Sequence, residues 1–227
     1  MTLLRIVGFA VDAALVIAAV SLVVRNCRKP TRWLGRYVVW VMNRSHAGLT
    51  RWGLSHVAIE SRFTILDVGC GGGKTIDTLA AIANEGKVYG IDYSEASVAA
   101  SRRTNSKWIA AGRVEVQPGS VSSLPFAEGT LDLVTAVETH YYWPNLNADF
   151  REIRRVLKSG GTLAIVAEAY RGRSADWLYR PAMKLLKATY LTVQEHRELF
   201  AKAGFASVEV FENRAKGWIC VKGEKPL

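Results

Sequence analysis

The segment that decides how the chain is read is Phe63-Thr-Ile-Leu-Asp-Val-Gly-Cys-Gly-Gly-Gly-Lys-Thr75. Its first half closes on a short apolar run, Ile65, Leu66 and Val68, which predicts a buried strand. Its second half is nearly all glycine. From Lys74 to Ala83 the apolar residues Ile76, Leu79, Ala80 and Ile82 recur at helical spacing. Strand, glycine turn, helix is an order that brings a backbone close to a nucleotide-like ligand at a helix N-terminus.

Three glycine patterns compete for this turn. A P-loop requires Gly-x-x-x-x-Gly-Lys-Ser/Thr. Gly73-Lys74-Thr75 supplies its end, but the first glycine would fall at Val68, and Gly69 comes one residue late, which leaves the phosphate cradle too short. The dinucleotide pattern Gly-x-Gly-x-x-Gly would need glycine where Lys74 stands. The third pattern, Asp-x-Gly-x-Gly-x-Gly, is met in full by Asp67, Gly69, Gly71 and Gly73. A second acid belongs with it. Lys87-Val-Tyr-Gly-Ile-Asp92 predicts the next strand, with Asp92 at its carboxyl end. A carboxylate there can accept both ribose hydroxyls of a nucleoside lying across the turn, or it can cap the helix that begins near Ser94.

This third pattern resembles motif I of the class I S-adenosylmethionine (SAM) dependent methyltransferases, and the likeness continues downstream. Gly119-Ser-Val-Ser-Ser-Leu-Pro-Phe126 is similar to the family's Gly-Asp-Ala-x-x-Leu-Pro-Phe segment, with Ser120 where an acid often holds the adenine amino group. A hydroxyl accepts that hydrogen bond more weakly than a carboxylate does. Thr130–Ala136 predicts the fourth strand and leads into Val137-Glu-Thr-His-Tyr-Tyr-Trp-Pro144, which matches the family's segment after that strand. Arg155-Val-Leu-Lys-Ser-Gly-Gly161 resembles the Arg-Val-Leu-Lys-Pro-Gly-Gly signature, with glycine expected to end a helix and the next strand expected over Thr162–Ala167. Met42-Asn-Arg-Ser-His46 and Trp52-Gly-Leu54 look like a lid ahead of motif I, with Asn43, His46 and Trp52 as its candidates.

The resemblance covers residues 43–222. It implies an α/β, doubly wound, Rossmann-like sheet of seven mostly parallel strands in the order 3-2-1-4-5-7-6, strand 7 antiparallel. It also implies SAM as cofactor, held by Asp67, Gly69, Cys70, Gly71, Gly73, Asp92, Tyr93, Ser120, Val121 and Glu138. His140 is the expected general base, because an unperturbed imidazole titrates near ~6.5, and Tyr141 is expected to shape the pocket beside it. His46, Trp52, Tyr142, Glu168 and Tyr170 are the expected acceptor-binding residues. Trp143 and Pro144 are expected to begin the next helix, and a helix within 174–190 to cover the pocket. No metal site is expected.

Ahead of the resemblance lies Ile6–Val24, an almost unbroken apolar run interrupted by Asp12. At ~1.5 Å per residue it can cross a ~30 Å bilayer core. Arg25, Arg28, Lys29, Arg32 and Arg36 follow it, against Arg5 alone in front, so the positive-inside rule puts the remainder in the cytoplasm. A surface helix and a cleaved signal peptide are the alternatives, and the charge lies on the wrong side for the latter. The expected organisation is a hydrophobic anchor over 1–29, a basic and aromatic linker and lid over 30–62 carrying Trp33, Tyr37 and Trp40, and a methyltransferase domain over 63–227.

The net charge of +10 is concentrated in the first 62 residues, where Arg and Lys far outnumber Asp12 and Glu60. A nucleic-acid enzyme would spread such charge around its catalytic face, so RNA and protein methylation stand as alternatives to a small apolar or membrane-resident acceptor. A non-catalytic, membrane-tethered SAM-binding protein is a third. The three cysteines, Cys27, Cys70 and Cys220, show no paired spacing, which argues against a metal knuckle or disulfide framework.

Overall fold

The computed structural model describes Asn26, Thr31, Gly35, Tyr37, residues 44–173 and residues 176–227. The expected anchor at 6–24, its basic flank, Trp33, Trp40 and Asn43 lie outside those residues. Among the described residues, no helix is long and apolar enough to cross a membrane.

The chain runs α1 (Ala47–Leu54), β1 (Thr64–Val68), α2 (Lys74–Ile82), β2 (Lys87–Asp92), α3 (Glu95–Thr104), α4 (Ser106–Ala110), β3 (Val114–Pro118) and β4 (Leu131–Val137). It continues through a 3-10 turn (His140–Tyr142), α5 (Leu146–Val156), β5 (Leu157–Ala167), α6 (Asp176–Leu185), α7 (Val193–Lys202), β6 (Ala206–Asn213) and β7 (Trp218–Glu224). The seven strands form one sheet in the order β3-β2-β1-β4-β5-β7-β6. β1 to β5 pair in parallel, and β7 runs antiparallel between β5 and β6. This is the doubly wound order that the motifs imply.

The central strands read as continuous apolar runs because both faces of the sheet are covered. Neighbouring residues point to opposite faces, so each strand feeds two cores. Ile65, Leu133, Ala164 and Val166 pack on the face that holds Leu49, Ile76 and Leu79. Leu66, Val134 and Ile165 pack on the other, with Phe150, Phe200 and Phe205. Helix α1 sits directly against β5: a Cβ on Gly53 would lie 2.5 Å from both methyl groups of Val166. That close approach brings the residue ahead of α1, His46, to the carboxyl edge of the sheet.

Two local readings change. The helix expected to begin near Ser94 ends at Thr104, and a second begins at Ser106; between them Asn105 is fully buried and donates from Nδ2 to the carbonyls of Gly73 and Ser101, both at 2.9 Å. The break ties the end of α3 to the glycine turn. β5 begins at Leu157, not Thr162, because Leu157 already pairs with Leu131, and Lys158–Gly161 forms an irregularity inside the strand. Helix α5 accordingly ends on the extended Leu157 rather than on glycine.

Candidate active site

The carboxyl ends of β1, β2 and β4 open into a cavity of about 370 Å³, the place where open α/β sheets bind ligands. One wall is the glycine turn. Gly69 and Cys70 both donate their N–H groups to the carbonyl of Ile91, at 2.8 and 3.0 Å, which locks the turn onto β2. Gly69 has φ +71°, and a Cβ there would fall 2.6 Å from the Thr139 methyl. Gly73, at φ +81°, begins α2, and a Cβ there would lie 2.4 Å from Asn105 Nδ2 and Ser101 Oγ. Only glycine meets both demands, positive φ and close approach. Gly73 therefore shapes the turn without lining the cavity.

Asp92 lines the cavity, and each of its carboxylate oxygens takes one backbone N–H: Gly71 at 3.0 Å on Oδ2 and Ser94 at 2.8 Å on Oδ1. A carboxylate has about four acceptor positions, so with the two backbone bonds and a further bond from the Ser97 side chain, acceptor capacity is still left for a ligand hydroxyl. The cap of α3 is Ser94, whose hydroxyl accepts from Ser97 N–H, so Asp92 holds the cap residue rather than capping the helix itself. Burial raises its pKa, and those backbone bonds oppose the rise.

Asp67 is buried on the same wall. It accepts a 2.8 Å hydrogen bond from Thr135 Oγ1, while burial first and the charge of Asp92 second push it up to about 7. Cys70 also lines the cavity, but burial and the neighbouring Asp67 and Asp92 raise its thiol well above the ordinary range, which disfavours the thiolate. Tyr93, Ser120 and Val121 line the far side. This arrangement fits a nucleoside cofactor: a rigid turn in which Cys70 carries the one side chain, a carboxylate with spare acceptor capacity, and a pocket for a base beyond it.

The opposite wall comes from His46, Val137, Glu138, Tyr142, Trp143 and Pro144. Glu138 follows β4 directly and holds φ +60°, a left-handed backbone that costs a non-glycine residue about 1–3 kcal/mol. Its Oε1 accepts from Tyr141 Oη at 2.9 Å and from Glu168 N–H at 2.5 Å. Tyr141 is buried behind the wall, and its hydroxyl also accepts from Ala169 N–H at 3.1 Å, so it positions Glu138 rather than facing the cavity. His46 Nε2 stands 3.7 Å from Glu168 Oε1. One side-chain N or O atom from each of His46, Glu138 and Glu168 lies within 4.8 Å of the other two, so the three titratable groups form one cluster.

Other expected residues fall elsewhere. His140 is fully buried in the 3-10 turn and does not line the cavity. Its Nε2 lies 3.2 Å from His196 Nε2, and its Nδ1 is without a partner. Burial, then the neighbouring His196, drives its pKa well below the usual value. Its ring is turned into the core by the geometry of the turn, and the base role assigned from sequence does not fit that position. Tyr170 is also buried and donates to Glu212 Oε1 at 2.8 Å. Trp52 packs edge-on against His56 at 4.9 Å and near Trp218 at 5.8 Å, away from the cavity.

Trp143 and Pro144, expected to start a helix, instead line the pocket, while no residue of α6 does. Thr50, Lys74, Thr75 and Ser97 were missed and do line it, as does Thr139 in the segment after β4. Thr50 falls one helical turn beyond His46, and the next three occupy the first turns of the helices after β1 and β2. That placement is the signal that could have found them.

A model of the methyltransferase domain matches residues 66–165. Over 195 residues the chain is 30% identical to the demethylmenaquinone methyltransferase of Lactococcus lactis subsp. lactis (strain IL1403), covering 72% of this chain and 75% of that protein. It is 34% identical over 122 residues to the 24-methylenesterol C-methyltransferase 2 of Oryza sativa subsp. japonica, covering 52% of this chain and 33% of the relative. In fold it is similar to a SAM-dependent methyltransferase from Aquifex aeolicus, with a TM-score of 0.70 and 22% identity over 84% of this chain and 98% of that one. The chain belongs to the class I SAM-dependent methyltransferases.

Proposed function

We propose that the enzyme transfers a methyl group to a small acceptor with an apolar body, seated between the glycine turn and the wall formed by Glu138, Tyr142 and Trp143. The observation that carries this reading is the Asp92 carboxylate, held at the cavity edge by Gly71 and Ser94 with acceptor positions to spare. In this reading Asp92 takes the ribose hydroxyls, Gly69–Gly71 approach the amino-acid end, and Ser120 and Val121 receive the adenine. SAM supplies an activated methyl on a sulfonium, so the residues chiefly position two reactants. Calorimetry with S-adenosylhomocysteine, followed by turnover with labelled SAM on lipid extract and on total RNA, tests it. Labelled lipid-phase or small-molecule product is expected; label in RNA alone would overturn the acceptor class.

A membrane-associated acceptor is the finer reading. The apolar wall at Val137, Tyr142, Trp143 and Pro144 supports it, as does the hydrophobic run at 6–24 with its basic flank. We place the catalytic domain on the cytoplasmic side of a membrane through that run. Liposome flotation of the full chain against a Leu15→Arg/Val20→Arg variant tests this placement, since each central arginine costs about 2.5–3.5 kcal/mol of insertion. Equal flotation of both would remove the anchor.

A further inference from the structure

Three ionisable side chains meet at the acceptor wall, brought together by three distant segments: His46 ahead of α1 and Glu138 after β4 line the cavity, and Glu168 after β5 stands beside them without lining it. Both hydrogen bonds that anchor Glu138 fall on its Oε1. This geometry leaves Oε2 as the oxygen able to receive a proton. His46 is held at 3.7 Å by Glu168, and the His46 and Glu168 side chains keep 19% and 37% of their surface open. A proton received at Glu138 therefore has an imidazole–carboxylate pair beside it and a path toward solvent.

We infer that Glu138, coupled to His46 and Glu168, is the base of the reaction, and that the acceptor carries an ionisable hydroxyl or ammonium group whose proton it takes. This deepens the methyl-transfer reading above and rests on it. In the step, the acceptor atom bonds to the methyl carbon as the carbon–sulfur bond of the sulfonium breaks. The sulfur keeps that electron pair as a neutral thioether, and the acceptor proton passes to Glu138, either before the attack, leaving an oxyanion or free amine as nucleophile, or as the new bond forms.

The charges agree with this. Burial, reinforced by Glu168, pushes Glu138 up to about 7, against the opposing pull of His46. Burial alone would depress His46, but its bond to Glu168 and the charges of Glu138 and Glu168 outweigh it, and its pKa is raised. Arg173 acts on Glu168, which is lowered chiefly by its bond to His46. Tyr141 is pushed well above its usual range and stays a donor. Two carboxylates facing one imidazole favour a neutral or cationic acceptor and repel one with a carboxylate or phosphate beside its attacking atom.

The test uses the full chain with labelled SAM and an extract of the cells that make it, with the labelled product placed by mass spectrometry and NMR. A product that has lost a proton from a hydroxyl or ammonium-bearing acceptor is expected. Turnover should rise with pH to a plateau above about 7. Glu138→Gln should lower kcat about 100-fold while S-adenosylhomocysteine affinity stays within a few-fold. His46→Ala should move the midpoint to higher pH, because Glu138 loses its cationic neighbour; a merely structural role would leave the midpoint in place. A fixed-charge onium product, a pH-independent rate or full turnover in Glu138→Gln would overturn the inference. So would stoichiometric Zn²⁺ or Mn²⁺ binding with activity lost on chelation. Cofactor binding with no labelled product from any fraction would instead sink the methyl-transfer reading itself.

Discussion

The two ends of the cavity are built in opposite ways. At the cofactor end, one turn and one acid do the work, largely with backbone: N–H groups of Gly69, Cys70 and Gly71 are fixed by Ile91 and Asp92 across the β1–β2 pair. At the acceptor end, the ionisable part of the wall is made of side chains from residues 46 and 138, held by their charges, by Glu168 beside them and by a tyrosine behind. A backbone site tolerates few substitutions and recognises one ligand. A side-chain site can be altered without disturbing the sheet. The first end should therefore govern binding and folding, and the second should govern turnover and its pH dependence.

The largest expected effect is on the turn. Gly73→Val adds a branched side chain at φ +81°, where even a Cβ would meet Asn105 and Ser101 at 2.4 Å. Both the melting temperature and S-adenosylhomocysteine affinity should fall, the latter more than about 100-fold given two or more charge-assisted or backbone bonds misplaced. Unchanged affinity by calorimetry would separate the turn from the cofactor.

His140→Ala comes next and sharpens the contrast at the acceptor end. It removes a core side chain and leaves His196 without that neighbour, so Tm should drop by roughly 5 °C for a chain of this size. The midpoint of the pH–rate profile should not move, because His140 is neutral across that range. A moved midpoint would return the base role to His140.

Glu138 also leaves a thermodynamic trace. Its folded pKa lies above the unfolded value of an ordinary carboxylate, so the folded state binds the proton more tightly. Stability then declines as pH climbs from the unfolded pKa through about 7. Glu138→Gln, which cannot ionise, should gain relative to the parent at pH 8 compared with pH 5, read as the difference in Tm at each pH. A gain at pH 5 instead would reverse the sign of the argument. The smallest effect is expected at Ser120. Ser120→Asp places a stronger acceptor at the far side of the cavity and should tighten S-adenosylhomocysteine binding several-fold; no change would remove position 120 from adenine recognition.

The same contrast explains what the chain discloses as text. Asp67, Gly69, Gly71, Gly73 and Asp92 serve a backbone geometry that only certain residues permit, and their spacing survives as a local pattern. The sheet order was legible only through the family resemblance that this pattern carries. The acceptor wall has no such grammar. His46 reaches it because Gly53 lets α1 lie against Val166, a tertiary fact with no local trace. Glu138 and His140 stand two residues apart, and the 3-10 turn sends one to the cavity and the other to the core. A residue-type argument favoured the histidine there, whereas the direction of the turn excludes it. Asn105, a polar residue inside a helical stretch, broke its helix in order to satisfy Gly73.

The most direct test of the account is a paired calorimetric titration of S-adenosylhomocysteine into Asp92→Ala and Glu138→Gln, with thermal melts confirming that both are folded. The account predicts about 100-fold weaker binding in Asp92→Ala, from two lost hydrogen bonds to a charged acceptor, and near-parental binding in Glu138→Gln. Parental affinity in Asp92→Ala would contradict it, because the nucleoside would then lie somewhere other than across the glycine turn.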